Sequence, residues 1–296
     1  MTRFSVIVPI RSAEAFVDEC LWSVRHQAGA DLEVVAVDDD SPDACGAIVD
    51  RHARQDGRVT ALHLTRSHGV GPARNAGIAR ARGEYLVFLD ADDTYPGADV
   101  LAGLEADLVA TGDPDVLLFD YEEWRPCGLR RRISADRVAA VDGPRPVSAA
   151  ERPGVLRASW VCWNKAYRRE FIAAAGLRFP PGYYEDFAWS IPALLAAGRV
   201  AVSGRVGVHY RRCRPTSIGR GVSPRHLEVF DQFERILAFL AAHPEHDSAQ
   251  VRDVLATGAR TFLRSRSERL RVIPPELLDE FRRKSAEVTA RLGRRV

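Results

Sequence analysis

Apolar runs rich in β-branched residues alternate with helix-like stretches through the first 124 residues, and this alternation constrains the fold more than any other feature. The runs are "FSVIVPI", "LEVVAVDD", "VTALHLT", "YLVFLDA" and "DVLLFDYEEW". Between them lie "AFVDECLWSVRHQ", "DACGAIVDRHARQ", "GPARNAGIARARG" and "ADVLAGLEADLVA". Strands that are apolar on both sides must be covered on both faces, so the pattern predicts an α/β chain with a mainly parallel sheet flanked by helices. In such sheets ligands bind beyond the carboxyl ends of the strands. Residues 126–147, rich in Arg, Pro and Gly, read as a loop or hairpin excursion. From "ASWVCWNKAYRREFI" to "PGYYEDFAWSIPALLAAG" the pattern returns to helices, and "RVAVSGRVGVHYRRCR" reads as a strand. After about residue 222 it is helical, which predicts residues 1–221 as the α/β domain and 222–296 as a helical subdomain packed on it.

At 296 residues with 46% hydrophobic and 28% charged residues, the chain has enough apolar material for a real core. A net charge of +2 gives no global bias toward nucleic acid. Lys165 and Lys284 are the only lysines, and every other base is arginine. The five cysteines form no C-x-x-C pair, so neither a disulfide framework nor a zinc site is indicated. No apolar run has the length of a signal peptide core or a membrane span, and the expected compartment is the cytoplasm. Residues 260–296 carry eleven Arg or Lys against five acids. That excess reads first as a solvated helix face, with a polyanionic partner or an anionic lipid surface at the inner membrane face as the alternative.

The chemistry gathers where strands end. In "EYLVFLDADDT" the strand runs into Asp90, Asp92 and Asp93, whose mutual repulsion calls for a cation close by. A D-x-D pair of carboxylates suits Mg²⁺ or Mn²⁺, which take oxygen ligands from one or two carboxylates plus substrate phosphates and water. The plainer reading is helix capping. In "VVAVDDDSPD" a second strand ends in three carboxylates. A carboxylate accepts hydrogen bonds and donates none, so it favours the ring N–H of uracil or thymine, with guanine's also admissible, over the bare ring nitrogen of cytosine. In "RSHGVGPARNAGIARARGEY" the glycines free the backbone before a helix on which Arg74 and Asn75 face a nucleotide; the dinucleotide fingerprint it superficially resembles lacks its third glycine.

Taken in order, "VIVPI", "VDDDSPD", "GPARNAGIARARGEYLVFLDADD", "WNKAYRREF" and "YYEDFAW" resemble a family 2 glycosyltransferase of the GT-A fold, over roughly residues 3–215. The resemblance implies inverting, metal-dependent transfer of a sugar from a nucleoside diphosphate donor. Position by position it implies Pro9 at the lip of the base pocket, Asp39 as the base-contacting aspartate and Arg74 near the nucleotide. Asp90 and Asp92 match the D-x-D pair, with Asp92 the metal contact, and Asp186 matches the catalytic base. Asp40 departs from the family, which carries glycine there. Lys165 falls in a segment that borders the active site in the family, as a diphosphate or acceptor contact or else a surface residue. His209, Arg211 and Arg212 stand where related enzymes supply a metal-binding histidine or phosphate-binding bases; a structural histidine is the alternative.

Physically, Asp186 would take the proton of an acceptor hydroxyl as it attacks opposite the departing diphosphate, with Glu185 tuning it. A helix N-terminal "E-D" is the bland alternative. Trp163 reads as an acceptor-sugar platform or a core tryptophan. The expected donor is a UDP-sugar. The expected acceptor is a hydroxyl of a cell-surface glycan, a polyol-phosphate polymer or a lipid-linked saccharide, and the helical tail would contact that acceptor, a membrane face or a second subunit. Two rivals remain: an aspartyl-phosphate-type phosphatase using Asp90, Asp92 and Thr94, and a non-catalytic nucleotide-sugar-binding module.

Overall fold

The computed structural model describes residues 2–125, 128–135, 145–158, 160–212 and 221–294. Cys127 and Cys213, and half of the excursion expected at 126–147, lie outside them.

The five apolar runs become β1 (Phe4–Ile10), β2 (Leu32–Asp38), β3 (Val59–His63), β4 (Tyr85–Phe88) and β5 (Val116–Trp124). The helix-like stretches become α1 (Glu14–Arg25), α2 (Cys45–Gln55), α3 (Val70–Arg80) and α4 (Val100–Ala110). β1 is fully buried and pairs in parallel with β2 and β4, and β2 pairs in parallel with β3. Proline normally argues against a central strand because it cannot donate to the ladder. Here the Leu89 amide donates to the Ile7 carbonyl and the Asp39 amide to the Ile10 carbonyl. Odd-numbered β1 residues therefore face β4, and pairing with β4 stops at Ile7. Pro9 forfeits no ladder bond and stays buried where the sheet opens.

The stretch around Lys165, expected to be helical, holds a strand. β7 (Lys165–Arg168) inserts antiparallel between β4 and β5 and leads directly into a short helix, α5 (Arg169–Ala174). β6 (Arg130–Ile133) forms the hairpin with β5, and β8 (Val200–Arg211) runs parallel to β5 along its other edge. The sheet order is β3-β2-β1-β4-β7-β5-β6, with β8 on β5. α6 (Phe187–Ala196) follows the "YYED" segment.

α3 sits against β1 at unusually close range because Gly77 has no side chain: a Cβ there would lie 2.4 Å from Ile7 Cγ2. Three helices end the chain, α7 (Glu228–Ala242), α8 (Ala249–Arg264) and α9 (Leu278–Gly293). One continuous cluster of buried apolar residues extends from Phe4 to Leu292 and takes in all three. Trp160, Phe187, Phe233, Tyr184 and Phe262 make its ring-to-ring seam between the sheet domain and α7–α8. None of the helices among the described residues is long and apolar enough to cross a membrane.

Candidate active site

The positive charge that the acidic cluster requires is arginine. Arg74, on α3, is only 3% exposed. Its Nη2 donates to Asp90 Oδ1 at 2.8 Å and its Nη1 to Glu185, so one guanidinium ties the end of β4 to the "YYED" segment. Arg211 holds the same turn from the other side. Its amide donates to Asp93 Oδ1 at 2.7 Å, its Nε to the Asp92 carbonyl at 3.0 Å and its Nη2 to Glu19 at 2.7 Å.

Asp186 opens α6 at the N-cap position, yet its side chain makes no capping hydrogen bond. The half-buried carboxylate lines the cleft. Tyr184, two residues earlier, adopts φ 63°, a left-handed conformation that bulky residues take only when their surroundings hold them there. Burial, then the charge of Glu185, raise the Asp186 carboxyl well above the ordinary carboxylate range, while Arg74 pulls the other way. Burial likewise raises Glu185 against the opposing pull of Arg74. Beneath them Lys165 is fully buried, its Nζ donating to the Val161 carbonyl at 2.6 Å and to Asn164 Oδ1 at 2.7 Å. That burial lowers its ammonium to about 7.

Asp39 is gripped by the loop before α3. His68 N–H donates to its Oδ1 at 2.8 Å, and Ser67 Oγ and Gly69 N–H donate to its Oδ2 at 2.8 and 2.9 Å. A carboxylate offers about four lone-pair sites, so one on Oδ1 remains. Asp40 takes φ 55°, the left-handed conformation that glycine usually fills and aspartate tolerates, with Arg11 Nη1 on its carbonyl at 2.6 Å. The departure from glycine therefore preserves the turn.

These groups share one cleft of about 1470 Å³. Pro9, Asp39, Arg74, Asp90, Asp92, Trp163, Glu185, Asp186 and Arg212 line it; Lys165, His209 and Arg211 do not. The reason for the split in "GVHYRR" is the two-residue period of a strand. Tyr210 and Arg212 turn toward the cleft, where Tyr210 stacks on Trp163 at 4.9 Å. His209 and Arg211 turn the other way: the His209 ring lies 4.0 Å from Trp124, with Nε2 3.4 Å from Glu122, and its backbone bridges to Thr94.

The Glycosyl transferase family 2 profile matches residues 5–112. Bacillus subtilis EpsJ, named an uncharacterized glycosyltransferase, is 30% identical over 223 residues, which cover 72% of this chain and 62% of EpsJ. The chain belongs to glycosyl transferase family 2. Staphylococcus aureus TarS, residues 1–349 in complex with UDP-GlcNAc, superimposes with a TM-score of 0.72 at 21% identity, over 99% of this chain and 90% of that one. The fold is thus GT-A. A mannosyltransferase from Pyrobaculum calidifontis, solved with GDP-Man and Mn²⁺, matches with a TM-score of 0.54 at 20% identity, over 97% of this chain and 87% of that one. The chain spans less than two thirds of the length of EpsJ.

Does the family 2 site fit a divalent cation? Among the described residues no three His, Cys, Asp or Glu groups converge tightly enough to enclose one. Asp90 and Asp92 nevertheless present hard carboxylate oxygens in the cleft. That donor set fits an ion such as Mg²⁺, which binds through one or two carboxylates and completes its shell with substrate phosphates and water.

Several family 2 site features escaped the sequence reading, notably the Ser67–Gly69 grip on Asp39 and the role of Gly71. A Cβ at Gly71 would lie 2.2 Å from the Pro180 carbonyl oxygen and 3.1 Å from Glu185 Cγ. Gly71→Ala is expected to lower unfolding free energy by about 1–3 kcal/mol and to reduce turnover by displacing Glu185 and Asp186. Urea unfolding checks this; an unchanged midpoint would mean that the 180–186 segment yields freely.

Proposed function

We propose that this chain is an inverting glycosyltransferase that moves a sugar from a UDP donor to a hydroxyl acceptor, with Asp186 as general base. One observation carries the reading: an uncapped carboxylate of raised basicity shares a cleft with two separate strand-end acidic sites, Asp39 and Asp90–Asp92. Uracil fits against Pro9, with its ring N–H on the remaining lone pair of Asp39. Asp90 and Asp92 would hold Mg²⁺ or Mn²⁺ at the diphosphate. When bound, the ion supplies Lewis-acid stabilisation of charge on the leaving group.

Asp186 accepts the acceptor's hydroxyl proton as the new oxygen–carbon bond forms at the anomeric centre. The bond to the diphosphate breaks on the opposite face, which inverts the configuration. Arg74 fixes Glu185 and Asp90 and so sets where Asp186 and the acidic turn stand. TarS is named a poly(ribitol-phosphate) β-N-acetylglucosaminyltransferase, which is consistent with a UDP-sugar donor and a cell-surface acceptor here: a glycan, a polyol phosphate or a lipid-linked saccharide. The phosphatase alternative is set aside with the family assignment.

A thermal-shift screen of nucleoside diphosphate sugars, with and without Mn²⁺, tests the reading. A donor present at about 100 times its Kd should stabilise the chain by about 2.7 kcal/mol, and more weakly when metal is withheld. Stabilisation by GDP-sugars but not UDP-sugars would overturn the uracil assignment, and none by any nucleotide sugar would overturn the enzyme.

A further inference from the structure

The cleft is larger than a single ligand pocket, which is typically about 300–1,000 Å³, and its two sides carry opposite charge. Asp39, Asp90, Asp92, Glu185 and Asp186 lie on the sheet side, where they outnumber Arg11, Arg74 and Arg212. The far side is formed by α8 and the turn after it, with Arg225 and Arg157 flanking. On α8, Arg260 and Arg264 stand one helical turn apart, so they share a face. The helix then ends in a π-helical turn, Ser265–Arg269, rather than a regular one. Such turns rotate the side chains that follow and recur at functional sites. Here the turn lays Arg266 over Phe262 at 4.4 Å and over Tyr184 at 5.5 Å, two residues from Asp186, and sets Arg269 on the same wall.

The wall is incompletely neutralised. Arg225 pairs with Glu228 at 2.6 Å and Arg264 with Glu268 at 3.0 Å, and Asp253 also lines it. Arg157, Arg260 and Arg269 lie beyond ion-pair distance of any carboxylate among the described residues. A donor's diphosphate would be met on the opposite side, at Asp90 and Asp92. The arginines stand instead where an acceptor must extend once its hydroxyl reaches Asp186.

We infer that the arginine wall of α8 and its π-turn binds the phosphate groups of a polyanionic acceptor and feeds it past Asp186. The inference rests on the glycosyltransferase reading and narrows its acceptor to polyol-phosphate-like chains. Arginine suits the task because its planar fork meets phosphate oxygens in pairs. A membrane surface is the lesser fit, because these arginines line a concavity that runs into the sheet and not an outward plane.

The test titrates the full chain with a synthetic glycerol-phosphate oligomer, an uncharged oligosaccharide of equal length and phosphatidylglycerol vesicles, each at low and high salt. The oligomer is expected to bind most tightly and to weaken as salt rises. The exposed triple variant Arg260→Ala/Arg264→Ala/Arg269→Ala is expected to bind it at least about tenfold more weakly, while UDP-sugar stabilisation persists. The inference is overturned if the triple variant binds the oligomer like the unsubstituted chain, or if the uncharged oligosaccharide binds equally well. Vesicle binding that the triple variant loses, with no binding of the oligomer, would reassign the wall to the membrane. Failure of every nucleotide sugar to stabilise the chain speaks against the enzyme reading alone, since the oligomer titration is independent of it.

Discussion

Asp186→Asn is expected to leave donor stabilisation nearly unchanged while lowering transfer by about 10²–10⁴-fold, the usual contribution of a positioned general base. The amide keeps the shape and cannot take a proton. Stability should move the other way. In the unfolded chain Asp186 ionises near the ordinary value of about 3.9, whereas in the folded chain burial and Glu185 push it up to about 8. Below both values the carboxyl is protonated in either state and imposes no penalty. As pH rises between them the unfolded chain gives up its proton first, so folded stability falls, and above the higher value the penalty is constant. The Asn variant has no such penalty. Its melting temperature, measured without metal or donor, should exceed that of the unsubstituted chain by a margin that widens from pH 5 to pH 9. The kcat/KM of the unsubstituted enzyme should climb with pH over the same interval as the base ionises. Loss of donor binding in the variant, or a margin that stays flat with pH, would contradict the role given to this carboxylate.

The parts of this molecule that could be read in advance are those whose cause is local. The parallel strands announce themselves because burial on both faces demands unbroken apolar runs, as in "FSVIVPI". The acidic strand ends were visible because repulsion among neighbouring carboxylates demands a counter-charge. β7 was hidden because four residues, Lys165 to Arg168, pass straight into a helix, and their strand character comes from partners on β4 and β5. The π-turn at Ser265–Arg269 was hidden as well: periodicity shows which residues share a helix face, not what that face covers. The basic tail, read first as a solvated surface, therefore contributes arginines to the cleft. Arg211 and Arg212 looked equivalent in "GVHYRR", and only the strand's register sends one behind the site and the other into it.

Arg74, which the resemblance implies near the nucleotide, lines the cleft, and the folded chain also commits its guanidinium to two carboxylates. Those partners lie 16 and 111 residues away, so no local pattern could reveal both. Arg74→Met is expected to cost about 3–5 kcal/mol, because it leaves Asp90 and Glu185 facing each other beside Asp186 with their buried counter-charge removed. The cost should shrink at low pH, where the stranded carboxylates take up protons and the repulsion disappears. Urea unfolding at pH 5 and pH 8 reads this directly, with the larger deficit at pH 8. Arg74→Lys restores a charge but not a fork, and an ammonium cannot reach both carboxylates in the same geometry. It should recover part of the stability and little of the turnover. A role confined to nucleotide contact makes the opposite forecast: stability near that of the unsubstituted chain in both variants, with the loss confined to donor affinity.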